Sequence, residues 1–168
     1  MKKLVALAAM AFLGFNASAQ NTPQMDLPNT PIKDLSGSTV AFNQTVEKGK
    51  VTLISFWATW CVPCKKEIKV VREKMAEWKT QADFNYMTIS EDDSRATAQV
   101  KAYAKSQGWE FPYYQDPNFD LKRSLNFQNV PFSVIVDKQG KVAYMQSGYE
   151  AGGEEILFTK IKELAAKQ

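Results

Sequence analysis

Residues 51–67 read VTLISFWATWCVPCKKE, and this stretch decides the fold. Val51 to Trp57 is a continuous apolar run of strand length, rich in β-branched and aromatic side chains. Such a run suits a central strand buried on both faces. From residue 61 the period changes. Cys61, Cys64, Ile68, Val71, Met75 and Trp78 recur at steps of three and four, which lines them along one face of a helix over 61–79. The opposite face carries Lys65, Lys66, Lys69, Arg72, Glu73 and Lys74. A buried strand feeding directly into an amphipathic helix predicts an α/β domain.

Outward from this unit the pattern repeats. Thr39 to Phe42 reads as a short strand after the Ser36-Gly37-Ser38 turn, and Phe84 to Ile89 as another strand. Residues 94–107 read as a helix with Val100, Tyr103 and Ala104 inward, and Phe119 to Leu125 as a further helical turn. Ser133 to Val136 and Lys141 to Gln146 form a hairpin about the turn Asp137-Lys138-Gln139-Gly140. A last amphipathic helix spans 153–167, with Ile156 or Leu157, Ile161 and Leu164 inward. The alternation predicts a central mixed sheet, parallel in its first part and antiparallel at the hairpin, with helices on both faces.

The first twenty residues, MKKLVALAAMAFLGFNASAQ, read as a secretory signal. Lys2 and Lys3 form a positive start, and Leu4 to Phe15 is an apolar stretch of 12 residues. Ala17-Ser18-Ala19 is the cleavage signal, so the mature chain begins at Gln20. Spanning a bilayer takes about 20 apolar residues, so a membrane anchor is the weaker reading. Removing residues 1–19 takes away two Lys and no acid. The chain shrinks from 168 residues to 149, and its net charge from +3 to +1. The basic excess is mostly targeting signal, which leaves no case for a nucleic-acid partner or for stable membrane insertion after cleavage. Residues 20–31, with Pro23, Pro28 and Pro31, read as a flexible or extended lead-in to a single domain over 32–168. The export destination, periplasmic or otherwise extracytoplasmic, permits disulfides.

The chain holds 2 Cys and 0 His. The missing His excludes Ser–His and Cys–His catalytic pairs and His-ligated haem, copper or zinc. Two Cys do not make a zinc cage, so no metal and no cofactor is expected. A chain of 149 residues buries a proper core without disulfide staples, so the Cys are not needed as scaffold. Both fall in one C-x-x-C where the strand meets the helix, the context that makes this spacing a redox motif. The first N–H groups of a helix have no internal partner and stabilise a thiolate. Pro63 fits the first turn, where a missing N–H costs nothing. Cys61, at the helix start and within reach of solvent, is the expected nucleophile. Cys64, one turn in and shielded, is the expected resolving thiol. With no His, the proton of Cys64 needs a carboxyl, and burial would raise the pKa of such a group toward useful values.

At FWATWCVPCKKE the chain resembles the thioredoxin superfamily, and in detail the TlpA/ResA-like exported thiol-disulfide oxidoreductases. The resemblance covers about residues 32–167 and implies a thioredoxin-like fold with a central β–α insert, about 79–110. It implies that Glu67 is the acid serving Cys64; the acid of thioredoxin proper is replaced here by Ser55. It implies a cis bond at Val130-Pro131, facing the active-site disulfide. Trp60, Val62, Pro63, Val130 and Pro131 are then the substrate contacts. Phe132 stands where many members have Thr, a departure that leaves the substrate unassigned. Trp109, Phe111, Tyr113 and Tyr114 read as core at the end of the insert. The expected protein is a monomeric disulfide reductase acting on protein substrates and recharged by a membrane-bound electron donor. The rival readings are a disulfide oxidant or isomerase, a binding module without turnover, and a peroxidase; the last would place a single Cys in a different motif.

Overall fold

The computed structural model describes residues 25–167. Their elements run β1 (Met25–Asp26), β2 (Pro31–Lys33), β3 (Thr39–Ala41), β4 (Val51–Trp57), α1 (Val62–Gln81), β5 (Phe84–Ser90), α2 (Thr97–Ser106), β6 (Tyr113–Gln115), α3 (Asp120–Ser124), β7 (Phe132–Val136), β8 (Lys141–Ser147) and α4 (Gly153–Ala165). The signal reading over 1–19 and the start of the lead-in lie outside the described residues.

One mixed sheet carries eight strands in the order β1-β8-β7-β4-β5-β6-β2-β3. At its centre β4 runs parallel to β5, from Val51 opposite Phe84 to Trp57 opposite Ser90. On its other side it runs antiparallel to β7, with Ser55 opposite Ser133 and Phe56 opposite Phe132. All of β4 is buried, because both faces of the sheet are covered. Val51 and Leu53 face Val71 and Trp78 of α1 and Leu157, Phe158 and Ile161 of α4. Ile54 and Phe56 face the opposite layer, with Ile32, Phe42, Leu121 and Phe127. The Trp78 ring stacks on Phe158 at 4.5 Å between centroids, which locks α1 to α4.

The structure differs from the sequence reading at several edges. The expected lead-in over 20–31 is extended where it is described, and it is tied down. Met25 and Asp26 pair with Val142 and Lys141, and Pro31 pairs with Ala41. Isolated two- and three-residue strands carry too few residues for a period-2 pattern to register. β6 escapes the reading for the same reason, since Tyr113–Gln115 pairs with β5 inside a segment read as core without a strand. The helix expected over 94–107 starts as a 3-10 turn at Ser94–Ala96, held by the Asp93 carboxylate on the Arg95 amide, before α2 proper. In that helix Val100 and Ala104 are buried, whereas Tyr103 is half-buried. In α4 it is Leu157 that points inward, and Ile156 is exposed.

Candidate active site

The chain leaves β4 at Trp57 and enters α1 at Val62, and the intervening turn presents the cysteines. Cys61 is the N-cap of α1, in extended backbone conformation, and its Sγ accepts a hydrogen bond from the Cys64 amide at 3.3 Å. Pro63 occupies the first turn, so one of the unpaired N–H groups of the helix start is removed at no cost. The two cysteines form a disulfide with Cα atoms 5.4 Å apart. The turn is anchored from the next strand. Asp92 accepts from the Thr59 amide at 2.8 Å and its hydroxyl at 2.7 Å, and from the Ser90 hydroxyl at 2.7 Å.

The expected asymmetry of the two sulfurs needs correcting. Cys64 is shielded as expected, at 1% exposure, but Cys61 is only 3% exposed. The reason is the packing behind them. Trp57, Ala58, Ile68 and Val100 enclose both cysteines, with Tyr103, Trp109, Phe111 and Val130 packed against the cluster. The Trp57 ring meets Trp109 at 5.0 Å and Tyr103 at 5.3 Å. Of the aromatics at the end of the insert, read from sequence as core, Trp109 and Phe111 are half-buried backing for the disulfide, whereas Tyr114 packs against the opposite core layer. What stands open at the site is Trp60, 69% exposed, and Val62 beside it. Pro131 is buried, the Val130–Pro131 bond is cis, and Val130 reaches the cysteine cluster from across the fold.

Glu67 lies one turn beyond Cys64 on α1 and is buried, at 1% exposure. Its Oε1 accepts from the Ser133 hydroxyl at 2.5 Å and from the Ser55 hydroxyl at 3.2 Å. The Tyr86 hydroxyl in turn donates to Ser55 Oγ at 3.3 Å. Burial pushes the Glu67 carboxyl above the usual range, the two serine hydroxyls pull it back, and the charge of Glu154 adds to the rise. Sequence reasoning missed Ser133 and Tyr86, and noted Ser55 only for the acid it replaces. A signal was present. Ser55 and Ser133 are small polar residues inside the buried strands VTLISFW and FSVIV, where an unpartnered hydroxyl would be costly. They stand opposite each other in the β4–β7 register and close on one carboxyl oxygen.

Chemically the arrangement offers an enclosed disulfide at a helix N-terminus, flanked by the exposed Trp60 and Val62, and one turn along the helix from Cys64 a buried carboxyl held by two hydroxyls. Among the described residues no cluster of His, Cys, Asp and Glu is arranged to hold a metal ion.

Residues 19–145 match the family described as the AhpC/TSA family. Thiol-disulfide oxidoreductase ResA of Bacillus subtilis (strain 168) is 26% identical over 149 residues, which cover 86% of this chain and 80% of that protein. Among solved structures, an uncharacterized thioredoxin-like protein from Porphyromonas gingivalis superposes with a TM-score of 0.74 at 37% identity, over 83% of this chain and 91% of that one. A thio-disulfide isomerase from Thermus thermophilus superposes with a TM-score of 0.66 at 25% identity, over 87% of this chain and 99% of that one.

Proposed function

Because this chain belongs to the AhpC/TSA family, we propose that it is an exported thiol-disulfide oxidoreductase that reduces disulfides in polypeptide substrates through Cys61 and Cys64. The observation that carries the reading is the C-x-x-C disulfide at the N-terminus of α1, with the Cys64 amide donating to the Cys61 sulfur. That amide and the helix end stabilise a thiolate at Cys61.

In the reduced protein the Cys61 thiolate attacks one sulfur of the substrate disulfide. The S–S bond breaks, the second substrate sulfur leaves as a thiolate, and a mixed disulfide joins Cys61 to the substrate. Cys64 then gives its proton to Glu67 and attacks the Cys61 sulfur. The mixed disulfide breaks, the substrate departs with both sulfurs reduced, and Cys61–Cys64 closes with the two electrons lost. Glu67 suits the proton transfer because its burial lifts its affinity for a proton, while Ser133 and Ser55 hold the ionised form in place. The exposed Trp60, Val62 and Pro63 and the Val130–Pro131 segment form the surface against which the substrate strand lies. A membrane-bound electron donor returns the pair to the dithiol. Export rests on the signal at residues 1–19, with cleavage after Ala19.

The test is reduction of insulin by the reduced protein together with the potential of the Cys61–Cys64 couple. A reductase turns insulin over and has a potential nearer about −270 mV than about −120 mV. A potential near the upper figure reverses the direction to that of an oxidant. Absence of turnover, with binding retained in Cys61→Ser, makes the domain a binding module.

A further inference from the structure

The buried polar chain behind Glu67 continues past the two serines. Tyr86 lies on β5 opposite Leu53 of β4, and its ring meets Phe111 edge-on at 4.7 Å between centroids. It is buried, at 3% exposure. Its hydroxyl donates to Ser55 Oγ at 3.3 Å, and Ser55 donates to Glu67 Oε1 at 3.2 Å. From the other side Ser133 donates to the same oxygen at 2.5 Å. Among the described residues Oε1 therefore takes both donors and Oε2 takes none.

A hydroxyl carries one proton, so the direction of each bond in this chain matters. A serine between two oxygens can donate to either one. Tyr86 removes that choice at Ser55. Burial pushes its phenol well above the ordinary range, so it keeps its proton. Ser55 Oγ is the one acceptor that its hydroxyl meets among the described residues, and a buried O–H without an acceptor is costly. Tyr86 therefore stays the donor, and the Ser55 proton is left for Glu67. The chain also cannot run backwards. A proton placed on Glu67 Oε1 and donated to Ser55 would turn the serine toward Tyr86, whose own proton would then lack an acceptor.

We propose that Tyr86 is a positioning residue for the proton transfer at Cys64: by fixing the Ser55 hydroxyl toward Glu67 Oε1, it keeps that oxygen an acceptor and leaves Oε2 as the oxygen that takes the proton. The inference rests on the reading of Glu67 as the acid that serves Cys64. In that step the Cys64 S–H bond breaks, an O–H bond forms at Oε2, and the thiolate left behind attacks the Cys61 sulfur. Two donors on one oxygen stabilise the ionised carboxyl without covering the atom that receives the proton.

The groups that face this chain set its response to pH. Burial raises the Glu67 carboxyl most, the hydroxyls of Ser133 and Ser55 lower it, and the charge of Glu154, at the start of α4, raises it further. Glu154 is itself bound by Lys74 of α1 and by the Tyr149 hydroxyl. At Tyr86 the charges of Glu67 and Arg72 act in opposite senses. Tyr86→Phe removes the one hydroxyl and keeps the ring and every one of these charges. Without that hydroxyl Ser55 is free to turn. The ionised carboxyl then loses part of a donor, and the neutral one can donate from Oε1 to Ser55. Both effects raise the pKa of Glu67. At 3.2 and 3.3 Å the two bonds are longer than the Ser133 bond, so the rise is modest, about half a pH unit to one pH unit.

The experiment reads Glu67 directly. Its side-chain carboxyl carbon is followed by NMR against pH in the oxidised protein, where no cysteine titrates. Tyr86→Phe should raise the midpoint by about half a pH unit to one pH unit, and Ser55→Ala should raise it by at least as much. Tyr86→Phe added to Ser55→Ala should change nothing further, because its path to Glu67 is gone. The pH profile for resolution of a mixed disulfide preformed at Cys61 should rise by the same amount in Tyr86→Phe. A midpoint unmoved by Tyr86→Phe, or moved equally in the Ser55→Ala background, overturns the proposal, whatever the variants lose in stability. A midpoint that rises while the kinetic profile stays fixed supports the Tyr86–Ser55–Glu67 chain and instead sinks the assignment of Glu67 to Cys64. Should Tyr86→Phe fail to fold, Ser55→Ala decides alone: a midpoint raised there supports the chain, and one left in place overturns it.

Discussion

Replacing Glu91 by Gln should change how stability depends on pH, and the size of the change follows from the site. The carboxyl is enclosed, lacks a hydrogen-bond donor, and is raised from an ordinary value of 4.5 to about 8. In the unfolded chain it ionises near its ordinary value. Between these two values the folded protein binds more protons at this residue than the unfolded one, so folding stability falls as pH rises. The contribution is intact below about 4.5 and is lost progressively up to about 8. At about 1.4 kcal/mol for each unit of pKa, the loss between pH 5 and pH 7.5 comes to roughly 2–3 kcal/mol. An amide in this place cannot ionise. Both proteins carry a buried polar group without a partner, so that common cost cancels in the comparison. Urea unfolding of the oxidised protein from pH 5 to 8, for wild type and Glu91→Gln, reads the effect. The variant should gain roughly 2–3 kcal/mol on the wild type across that interval, with the difference opening as pH rises. Parallel curves, or a difference that closes with rising pH, would refute the argument that Glu91 is held protonated by burial and by Asp116.

Three further outcomes follow from the same geometry. Ser133→Ala removes the shorter hydrogen bond to Glu67 Oε1, so the carboxyl should titrate still higher; the pH profile for resolution of the mixed disulfide should move upward, with Ser133→Thr restoring it. Stopped-flow kinetics on a mixed disulfide preformed at Cys61 measures this, and an unmoved profile would remove Glu67 from the proton transfer. Cys64→Ala should accumulate substrates disulfide-linked to Cys61, visible by non-reducing electrophoresis, whereas Cys61→Ala should accumulate none; the opposite pattern would exchange the two roles. Trp78→Ala deletes a buried ring stacked on Phe158 and should cost about 3–5 kcal/mol in denaturant unfolding, and a loss below about 1 kcal/mol would mean that α1 and α4 are not held by that stack.

The central unit was legible because its signals are long and agree with each other. Seven buried residues in β4 and the three-and-four spacing along α1 fix a strand, a helix and the junction that carries both cysteines. The edges were not legible, because β1, β2 and β6 are two or three residues long and owe their strand geometry to partners distant in sequence. Cys61 shows the same limit at the site. Its position at the helix start argued for reach into solvent, yet burial was decided by Trp57, Val100 and Val130, from three separate segments. The environment of Glu91 was not legible, since nothing local distinguishes it from Asp92 and Asp93. Only the folded chain shows that Asp92 has three donors and Glu91 none.

The absence of His gives these two acids a common meaning. In a His-free chain any side chain that changes protonation near neutral pH must be a carboxyl lifted from its ordinary range or an amine or thiol lowered from its own. Burial lifts Glu67 and Glu91 alike, but the two are treated differently. Glu67 is tied by two hydroxyls at the ends of the Ser55–Ser133 cross-strand pair, which fixes its orientation beside Cys64 and moderates its rise. Glu91 accepts no hydrogen bond; its oxygens are sealed from solvent, with Lys122 Nζ 3.9 Å from Oε2, so its carboxyl stays costly to ionise. The hydrogen bonds that Glu67 has and Glu91 lacks are what separates the two acids: the first is held in one orientation, and the second is only enclosed.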